Sequence, residues 1–291
     1  MFAIRRARRR TRRAAARYAR AMLGDDQMLH FSERGWMLLP RVFAADECAA
    51  MRAALERQAR FRTLDKESDA VRTVLENPLF HDQCFLEWFH GPGILDANRR
   101  ALGAKLRFQG MNAHITPPHP QRDRGRVLLA PDGLGWHRGM RPKWGTHRDD
   151  DDARFINATF LNNITCLRDV AEGDGATAML EGSHLHEGDY ASLKGRCPVV
   201  FPAAPEGSVI LFTESLIHAA APILSGRTRH ALFTGFVPPW WACWPGMDVP
   251  RELVASIRDE LIRDLLAAPH FGGQVAEWAR PDATAQAPAT G

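Results

Sequence analysis

The sequence predicts a mainly β domain with flanking helices, because short apolar runs alternate with turn-forming residues from Leu106 onward. Helical periodicity is limited to the first hundred residues and to the segment after residue 247. No internal repeat is visible in the 291 residues. Many short strands separated by Gly, Pro and Asp are typical of a sandwich or barrel and not of a parallel α/β sheet.

Seven runs are predicted as strands, each bounded by residues that favour turns. They are Arg107–Thr116, Arg126–Ala130, Phe155–Leu167, Thr177–Leu180, Pro198–Phe201, Ser208–Phe212 and His230–Val237.

Helices are predicted on both sides of these strands. Residues 28–40 are predicted as a short helix followed by a strand, and residues 67–90 as a helix that ends before Gly91. Between them, residues 44–61 repeat apolar or small side chains at the spacing of one helical face. A closing helix is predicted to begin near Pro250. Its apolar face comprises Leu253, Val254, Ile257, Leu261, Leu265 and Leu266.

The positive charge of the chain belongs to its N-terminal segment. Residues 1–20 hold nine arginines and no acidic residue, so the other 271 residues carry 29 basic and 34 acidic side chains, a balance of −5. We expect a basic extension over residues 1–22, one folded domain over residues 23–280 and a disordered tail over residues 281–291. A solvated extension is favoured over a tail that binds nucleic acid or lipid, and over a transit peptide.

Composition also limits the location and the partners. The five cysteines are scattered and form neither a zinc motif nor a disulfide framework, which fits a reducing compartment. No apolar run approaches the roughly 20 residues that span a bilayer. We expect a cytoplasmic protein that acts on a small molecule without membrane or nucleic-acid partners. The sequence does not determine the oligomeric state.

Two histidines and an arginine form the pattern that indicates chemistry. His137 follows Trp136, His218 leaves an apolar strand, and Arg229 opens the next strand. A histidine pair is the core of many non-haem iron sites, and the planar guanidinium of an arginine suits a carboxylate. A lone histidine at a strand end is more often structural, but the spacing of all three favours a metal site that also binds a dicarboxylate.

Several motifs around these residues resemble a known family. They are Trp136-His137, Asp169–Thr177, Glu181–His184, Gly207–His218 and Ser225–Leu232. Together they resemble the phytanoyl-CoA dioxygenase-like branch of the Fe(II)/2-oxoglutarate oxygenases over roughly residues 28–241. Glu181 stands where the family motif usually has proline.

The resemblance implies a fold and a set of cofactors. The fold is a double-stranded β-helix, the cupin-like jelly roll. The implied site holds Fe(II) on His137 and His218, uses O2, and binds 2-oxoglutarate with its far carboxylate on Arg229. His184 matches a structural loop motif of the family and not a ligand.

The sequence departs from the family at Gly139, because the family pattern His-x-Asp is replaced by His137-Arg138-Gly139. Related halogenases carry Gly or Ala at this position. Losing the carboxylate removes a negative charge and frees a coordination position, so chloride can bind iron beside Gly139. We therefore predict a halogenase of secondary metabolism that chlorinates an unactivated C–H bond of a small polar metabolite.

A second register remains open, because His147-Arg148-Asp149 is itself a His-x-Asp sequence. In that register His147, Asp149 and His218 form a complete facial triad and the enzyme is a hydroxylase. His147 lacks the preceding Trp and lies in a polar loop, which favours His137. A non-catalytic cupin-like binding protein is the alternative from a different functional class.

Further ligands follow from position alone. Asn112, Thr159 and Asn163 are candidates for binding 2-oxoglutarate. Arg138, Arg141 and Lys143, together with Trp241, are candidates for binding a phosphorylated substrate such as a nucleotide. The alternative for the Trp cluster near Trp241 is ordinary core packing.

Overall fold

The computed structural model describes residues 23–60, 64–67, 70–139, 158–242 and 247–267. The strands in these ranges are β1 (Trp36–Leu39), β2 (Leu64–Glu67), β3 (Ala70–Glu76), β4 (Arg107–Thr116), β5 (Leu161–Cys166), β6 (Thr177–Leu180), β7 (Val199–Val200), β8 (Val209–Thr213), β9 (His218–Ala220) and β10 (Arg229–Val237). The α-helices are α1 (Asp25–Arg34), α2 (Ala45–Ala59), α3 (Ile94–Leu102), α4 (Tyr190–Leu193), α5 (Arg251–Ser256) and α6 (Glu260–Leu266). Short 3-10 helices cover Pro78–Phe80, Gln83–His90, Arg122–Leu129, Pro131–Gly133 and Ser183–Leu185.

The strands form two antiparallel sheets. The large sheet has the order β1-β8-β5-β10-β4-β3-β2, and the small sheet has the order β7-β6-β9. The sequence-based prediction of a mainly β chain with flanking helices is confirmed. The two sheets are the layers of a double-stranded β-helix, and the side chains between them form the inner core.

The central strands bury both of their faces, which explains their nearly continuous apolar character. Leu161, Leu211 and Leu232 point to one side and join the core beneath the helices. Ile164 and Phe212 point to the other side and pack with Met179 of the small sheet. Alternation along each strand therefore separates a helix-facing layer from an inner layer between the sheets.

Aromatic side chains fix the helical layer against the large sheet. Trp88, Phe89 and Phe236 are fully buried, and the ring centroids of Trp88 and Phe236 lie 6.1 Å apart in a stacked arrangement. The Trp88 indole N–H donates a hydrogen bond to Thr165 Oγ1 at 2.7 Å, so its polar atom is satisfied inside the core.

Three predicted elements differ from the structure. The predicted helix over residues 67–90 is instead strand β3 followed by 3-10 turns, because residues 73–76 pair with β4 and residues 70–73 pair with the edge strand β2. The predicted strand Arg126–Ala130 is 3-10 helix, preceded by Gly125 with a positive φ of 61°. The predicted closing helix is two helices, α5 and α6.

The terminal segments lie largely outside the described residues. This applies to the basic extension over residues 1–22 and to the tail over residues 281–291. Among the residues that are described, no helix is long and apolar enough to cross a membrane.

Gly207 offers a test of how tightly α2 is attached to the large sheet. Its φ is +81°, and an added Cβ would overlap the Phe43 carbonyl, with the Phe43 carbonyl carbon only 2.9 Å away. We expect Gly207→Ala to lower the free energy of unfolding by more than about 1–2 kcal/mol, since left-handed strain and a backbone clash add. Urea denaturation measures the change.

Gly195→Ala is the matched control for this substitution. Nothing lies within 4 Å of a Cβ added at Gly195, and its φ is not in the positive range. Its effect should stay within about 0.5 kcal/mol. Equal effects of the two substitutions would contradict the assignment of Gly207 as a constrained position.

Candidate metal centre and its cavity

The two histidines singled out by the sequence lie side by side. His137 and His218 form an antiparallel bridge, in which the His137 N–H donates to the His218 carbonyl at 2.9 Å and the His218 N–H donates to the His137 carbonyl at 2.8 Å. Their ring centroids are 4.4 Å apart. His218 begins β9, so the segment carrying His137 adds one bridge to the edge of the small sheet.

Backbone carbonyls set the orientation of both imidazoles. His137 Nδ1 lies 3.1 Å from the Gly135 carbonyl oxygen, and His218 Nδ1 lies 2.8 Å from the Leu216 carbonyl oxygen. An Nδ1–H that donates to a carbonyl leaves Nε2 as the lone-pair nitrogen, which is the arrangement of metal-binding histidines. Both rings are therefore held in the tautomer that a metal ion requires.

Burial keeps His218 neutral at physiological pH. Desolvation, opposed by the Leu216 carbonyl and reinforced by the nearby His137, lowers the pKa of His218 to about 4. A neutral imidazole has no proton to lose from Nε2 before it binds a metal. Nε2 of His218 is thus available to a cation at neutral pH.

The space beside Gly139 is occupied by the side chain of Glu214. A Cβ built on Gly139 would overlap Glu214 Oε2, with Glu214 Cδ at 2.9 Å and Glu214 Cβ at 3.1 Å. The Gly139 N–H donates to the Glu214 carbonyl at 2.8 Å, and the Asn162 amide donates to Glu214 Oε1. Desolvation raises the pKa of Glu214, while His137 and the Gly139 N–H lower it.

The histidine pair fits the protein share of an iron site, but it is incomplete as it stands. Within the described ranges, no three His, Cys, Asp or Glu side chains are grouped closely enough to hold a metal ion. A facial triad needs two imidazoles and one carboxylate. The absence of a carboxylate at position 139 accounts for the missing third donor.

A positive charge lies on the inner face of the large sheet. Arg229 is the first residue of β10 and shares a strand face with Ala231, which packs in the inner core. The Nε of Arg229 is buried without a hydrogen-bond partner among the described residues. Its Nη2 is 3.5 Å from Thr177 Oγ1, and its guanidinium carbon is 6.0 Å from the Phe233 ring centroid. No carboxylate of the described residues forms an ion pair with Arg229, so an anionic ligand fits here.

The charge of Arg229 also affects the pKa of His114. It packs on Phe233 with ring centroids 4.4 Å apart. Desolvation lowers the pKa of His114 to about 3, and the charges of Arg72 and Arg229 add to the effect. This end of the inner layer therefore favours an anion, as the far carboxylate of 2-oxoglutarate requires.

A cavity of about 210 Å³ opens on the large sheet, lined by residues of β4 and β10 and by Glu214. Its polar lining includes Gln109, Asn112, Asn162 and Glu214, and its remaining lining includes Met247. Gln109 is only 2% exposed, and neither polar atom of its side chain has a hydrogen-bond partner among the described residues, nor does Asn112 Oδ1. Buried amides without partners are available to a ligand.

Four polar lining residues were not predicted from the sequence: Gln109, His114, Asn162 and Glu214. Alternation along β4 and β5 could have indicated His114 and Asn162, because they share a strand face with Asn112 and Ile164 respectively. Gln109 and Glu214 lie at a β-bulge and at a turn, where alternation fails.

The other predicted ligands have mixed placements. Asn112 lines the cavity, whereas Asn163 is fully buried on the opposite face and bonds Asn98 and the Thr234 carbonyl. Its side chain is therefore structural in this arrangement, and Asn162 takes the inward position. Thr159 precedes β5 and makes no side-chain hydrogen bond within the described part of the chain.

The candidates for substrate binding are only partly described. Arg138 is half-buried and donates to the His186 carbonyl at 3.1 Å, and Trp241 is half-buried beside Trp240. Arg141, Lys143, His147 and Asp149 lie outside the described residues.

Two motif residues have structural contacts. His184 is buried, with Nε2 2.9 Å from the Ser32 carbonyl oxygen. The ring of Trp136 stacks on that of Tyr190, with centroids 4.6 Å apart, and so holds the residue that precedes His137 in place. The expectation that His184 belongs to a structural loop agrees with this contact.

A comparison with protein-family models identifies the family of this chain. The model for phytanoyl-CoA dioxygenase (PhyH) matches residues 31–231. A sequence comparison with curated proteins finds no match.

Solved structures with the same fold include three that are similar over most of their length. HygX from Streptomyces hygroscopicus, with nickel, 2-oxoglutarate and hygromycin B bound, is 17% identical at a TM-score of 0.57, covering 76% of this chain and 90% of HygX. The α-ketoglutarate-dependent carbocyclase SnoK from nogalamycin biosynthesis is 19% identical at a TM-score of 0.57, covering 75% and 85%. The α-ketoglutarate-dependent epimerase SnoN from the same biosynthesis is 13% identical at a TM-score of 0.56, covering 74% and 82%. These similarities confirm the double-stranded β-helix fold.

The low pKa of His114 predicts an acid-sensitive fold. Unfolded His114 takes up a proton as the pH falls below about 6.5, whereas the folded side chain does so only near pH 3. The free energy of unfolding therefore decreases as the pH falls through this window. In His114→Gln the decrease should be shallower, by up to about 1.4 kcal/mol per pH unit.

Urea denaturation between pH 7 and pH 5 measures the slope of this decrease. His81→Gln removes an exposed histidine and is the matched control, with an expected slope equal to that of the wild type. Parallel curves for His114→Gln and the wild type would contradict the burial of His114 beside the two arginines.

Proposed function

We propose that His137 and His218 are the iron ligands of this protein. The chain belongs to the phytanoyl-CoA dioxygenase family and is an Fe(II)/2-oxoglutarate-dependent non-haem oxygenase. The observation that carries this assignment is the backbone bridge between the two histidines, with each Nδ1 beside a carbonyl oxygen. It supports His137 over His147, because the partner of His218 in the bridge is His137.

The chain's own residues have separate tasks in the proposed reaction. Iron and 2-oxoglutarate, when bound, supply the oxidation of a C–H bond by O2 with release of succinate and CO2. Arg229 is proposed to bind the far carboxylate of 2-oxoglutarate, which gives its unpartnered Nε an acceptor. The cavity amides of Gln109 and Asn112 are proposed to orient the substrate.

The described lining supports a polar substrate that is neutral or cationic. Its polar side chains are three amides, one histidine and one carboxylate, beside the apolar Phe160, Phe233 and Met247, and no Lys or Arg is among the lining residues. A phosphorylated substrate would depend on Arg141 and Lys143, which lie outside the described residues. The HygX structure contains hygromycin B, and SnoK and SnoN belong to nogalamycin biosynthesis, which supports a role in secondary metabolism.

Halogenation is the second candidate, and Gly139 is the observation that favours it. The position of Glu214 counts against it, because a carboxylate beside Gly139 occupies the proposed chloride site and repels an anion. Hydroxylation or a related oxidation is therefore favoured over chlorination.

Purified protein should release succinate only when Fe(II), 2-oxoglutarate and O2 are all present. We expect His137→Ala and His218→Ala each to reduce this release by at least about 100-fold, since each removes an iron ligand. His81→Ala, at an exposed histidine, should retain wild-type release. Succinate can be measured without the native substrate, because 2-oxoglutarate is also consumed in uncoupled turnover.

Product masses decide between the candidate oxidations. Candidate small polar metabolites, hygromycin B among them, would be incubated with the enzyme, with and without chloride or bromide. Products that gain oxygen or lose hydrogen regardless of halide support the first candidate. Products that carry chlorine or bromine would overturn it, and full succinate release by His137→Ala would overturn the iron site itself.

The co-substrate assignment has its own test in Arg229→Gln. The substitution keeps polar atoms but removes the charge, so the dissociation constant of 2-oxoglutarate should rise about 10- to 100-fold. Isothermal titration of the metal-loaded protein measures it. Arg227→Gln is the control, because Arg227 is exposed and pairs with Asp174 at 2.6 Å. An unchanged constant in Arg229→Gln would place the dicarboxylate elsewhere.

A further inference from the structure

We infer that Glu214 supplies the metal-binding carboxylate that position 139 lacks, an inference that rests on the proposed iron site at His137 and His218. The conventional source of this ligand is the second residue after the first histidine, and here that residue is glycine. The replacement comes from the turn between β8 and β9, four residues before His218.

Location is the first support. Glu214 Cδ lies 2.9 Å from the point where a side chain at position 139 would place its Cβ, and Oε2 is its nearest atom to that point. A carboxylate at position 139 and the carboxylate of Glu214 would therefore compete for one volume. Glycine is the residue that leaves this volume open to Glu214.

Backbone contacts tie Glu214 to both histidines. The Gly139 N–H donates to the Glu214 carbonyl at 2.8 Å, two residues beyond the bridge between His137 and His218. The Leu216 N–H donates to the Thr213 carbonyl at 2.9 Å and closes the turn that carries Glu214. The backbone segment that carries the carboxylate is thus hydrogen-bonded to the segment that carries His137, which in turn is bridged to His218.

The surrounding side chains hold one carboxylate oxygen and leave the other beside Gly139. Asn162 donates to Oε1, whereas Oε2 is the oxygen nearest the position-139 volume. In the positions described, the three groups are not close enough to enclose a cation. Coordination by Glu214 therefore requires rotation about its side-chain bonds when metal binds, and Glu has one more rotatable methylene than Asp for this purpose.

Charge supports the same assignment. Two neutral imidazoles and one carboxylate reproduce the donor set and the net charge of the facial triad. The same carboxylate excludes chloride from this position, since two anions in a low-dielectric cavity repel each other. A family member with glycine at position 139 can then be an oxygenase without being a halogenase.

The experiment measures metal binding, not turnover. Co(II) would be titrated into the full chain in the presence of 2-oxoglutarate, and affinity and the visible absorption spectrum would be recorded for the wild type, Glu214→Gln and the double variant Glu214→Ala/Gly139→Asp. Glu172→Gln, at an exposed carboxylate paired with Arg126, is the matched control. Thermal unfolding confirms that each variant is folded.

We expect Glu214→Gln to bind Co(II) at least about 10-fold more weakly than the wild type, as loss of a carboxylate donor predicts. The double variant should recover most of the lost affinity, because it returns a carboxylate to the same volume from position 139. Chloride should change the Co(II) spectrum of Glu214→Gln and not that of the wild type. Glu172→Gln should match the wild type throughout.

Wild-type affinity and spectrum in Glu214→Gln would overturn the inference and leave Glu214 as a partner of Asn162 or of a cationic substrate. A wild-type spectrum that responds to chloride would overturn it as well. If Glu214→Gln does not fold, the double variant decides: affinity near the wild type supports the inference, and affinity at least about 10-fold weaker overturns it. Co(II) affinity that is unaffected by His137→Ala would mean that the proposed iron site has failed, a separate result.

Discussion

The centre of this molecule depends on the backbone bridge between His137 and His218. Two reciprocal hydrogen bonds fix the separation and the relative direction of the two residues before any ligand is present. β9 is paired with β6, and the His218 ring packs edge-on against Phe212 of the large sheet at 4.8 Å. The imidazole nitrogens that we propose as metal ligands are thus positioned by contacts with both sheets, which is the kind of preorganisation that a reactive site needs.

Regular strands were the part of the fold that sequence reasoning could predict. The bounds of β4 and β6 coincide with the predicted runs, because each is a strand whose length is limited by turn residues. The helix predicted over residues 67–90 is wrong, because residues 70–73 pair with β2 and residues 73–76 pair with β4. Local propensity yields to tertiary pairing at such edges.

The residues of the candidate site also differ in whether the sequence could predict them. His137, His218 and Arg229 were predictable because each lies at a fixed place relative to a strand in the family pattern. Glu214 and Gln109 were not, since a turn and a β-bulge decide where their side chains point. A motif lists what one segment offers to a metal ion, but the complete environment is assembled from several segments. The glycine at position 139 is interpretable only together with the side chain that fills its volume.

The buried charge of Arg229 has a consequence beyond catalysis. Among the described residues no carboxylate pairs with this guanidinium, and a buried cation without a counter-ion weakens the folded state. A dicarboxylate bound to Arg229 as proposed, and only in the native state, would add about 2.7 kcal/mol of stability at one hundred times its dissociation constant. Resistance of the protein to proteolysis would then rise with the concentration of its own co-substrate.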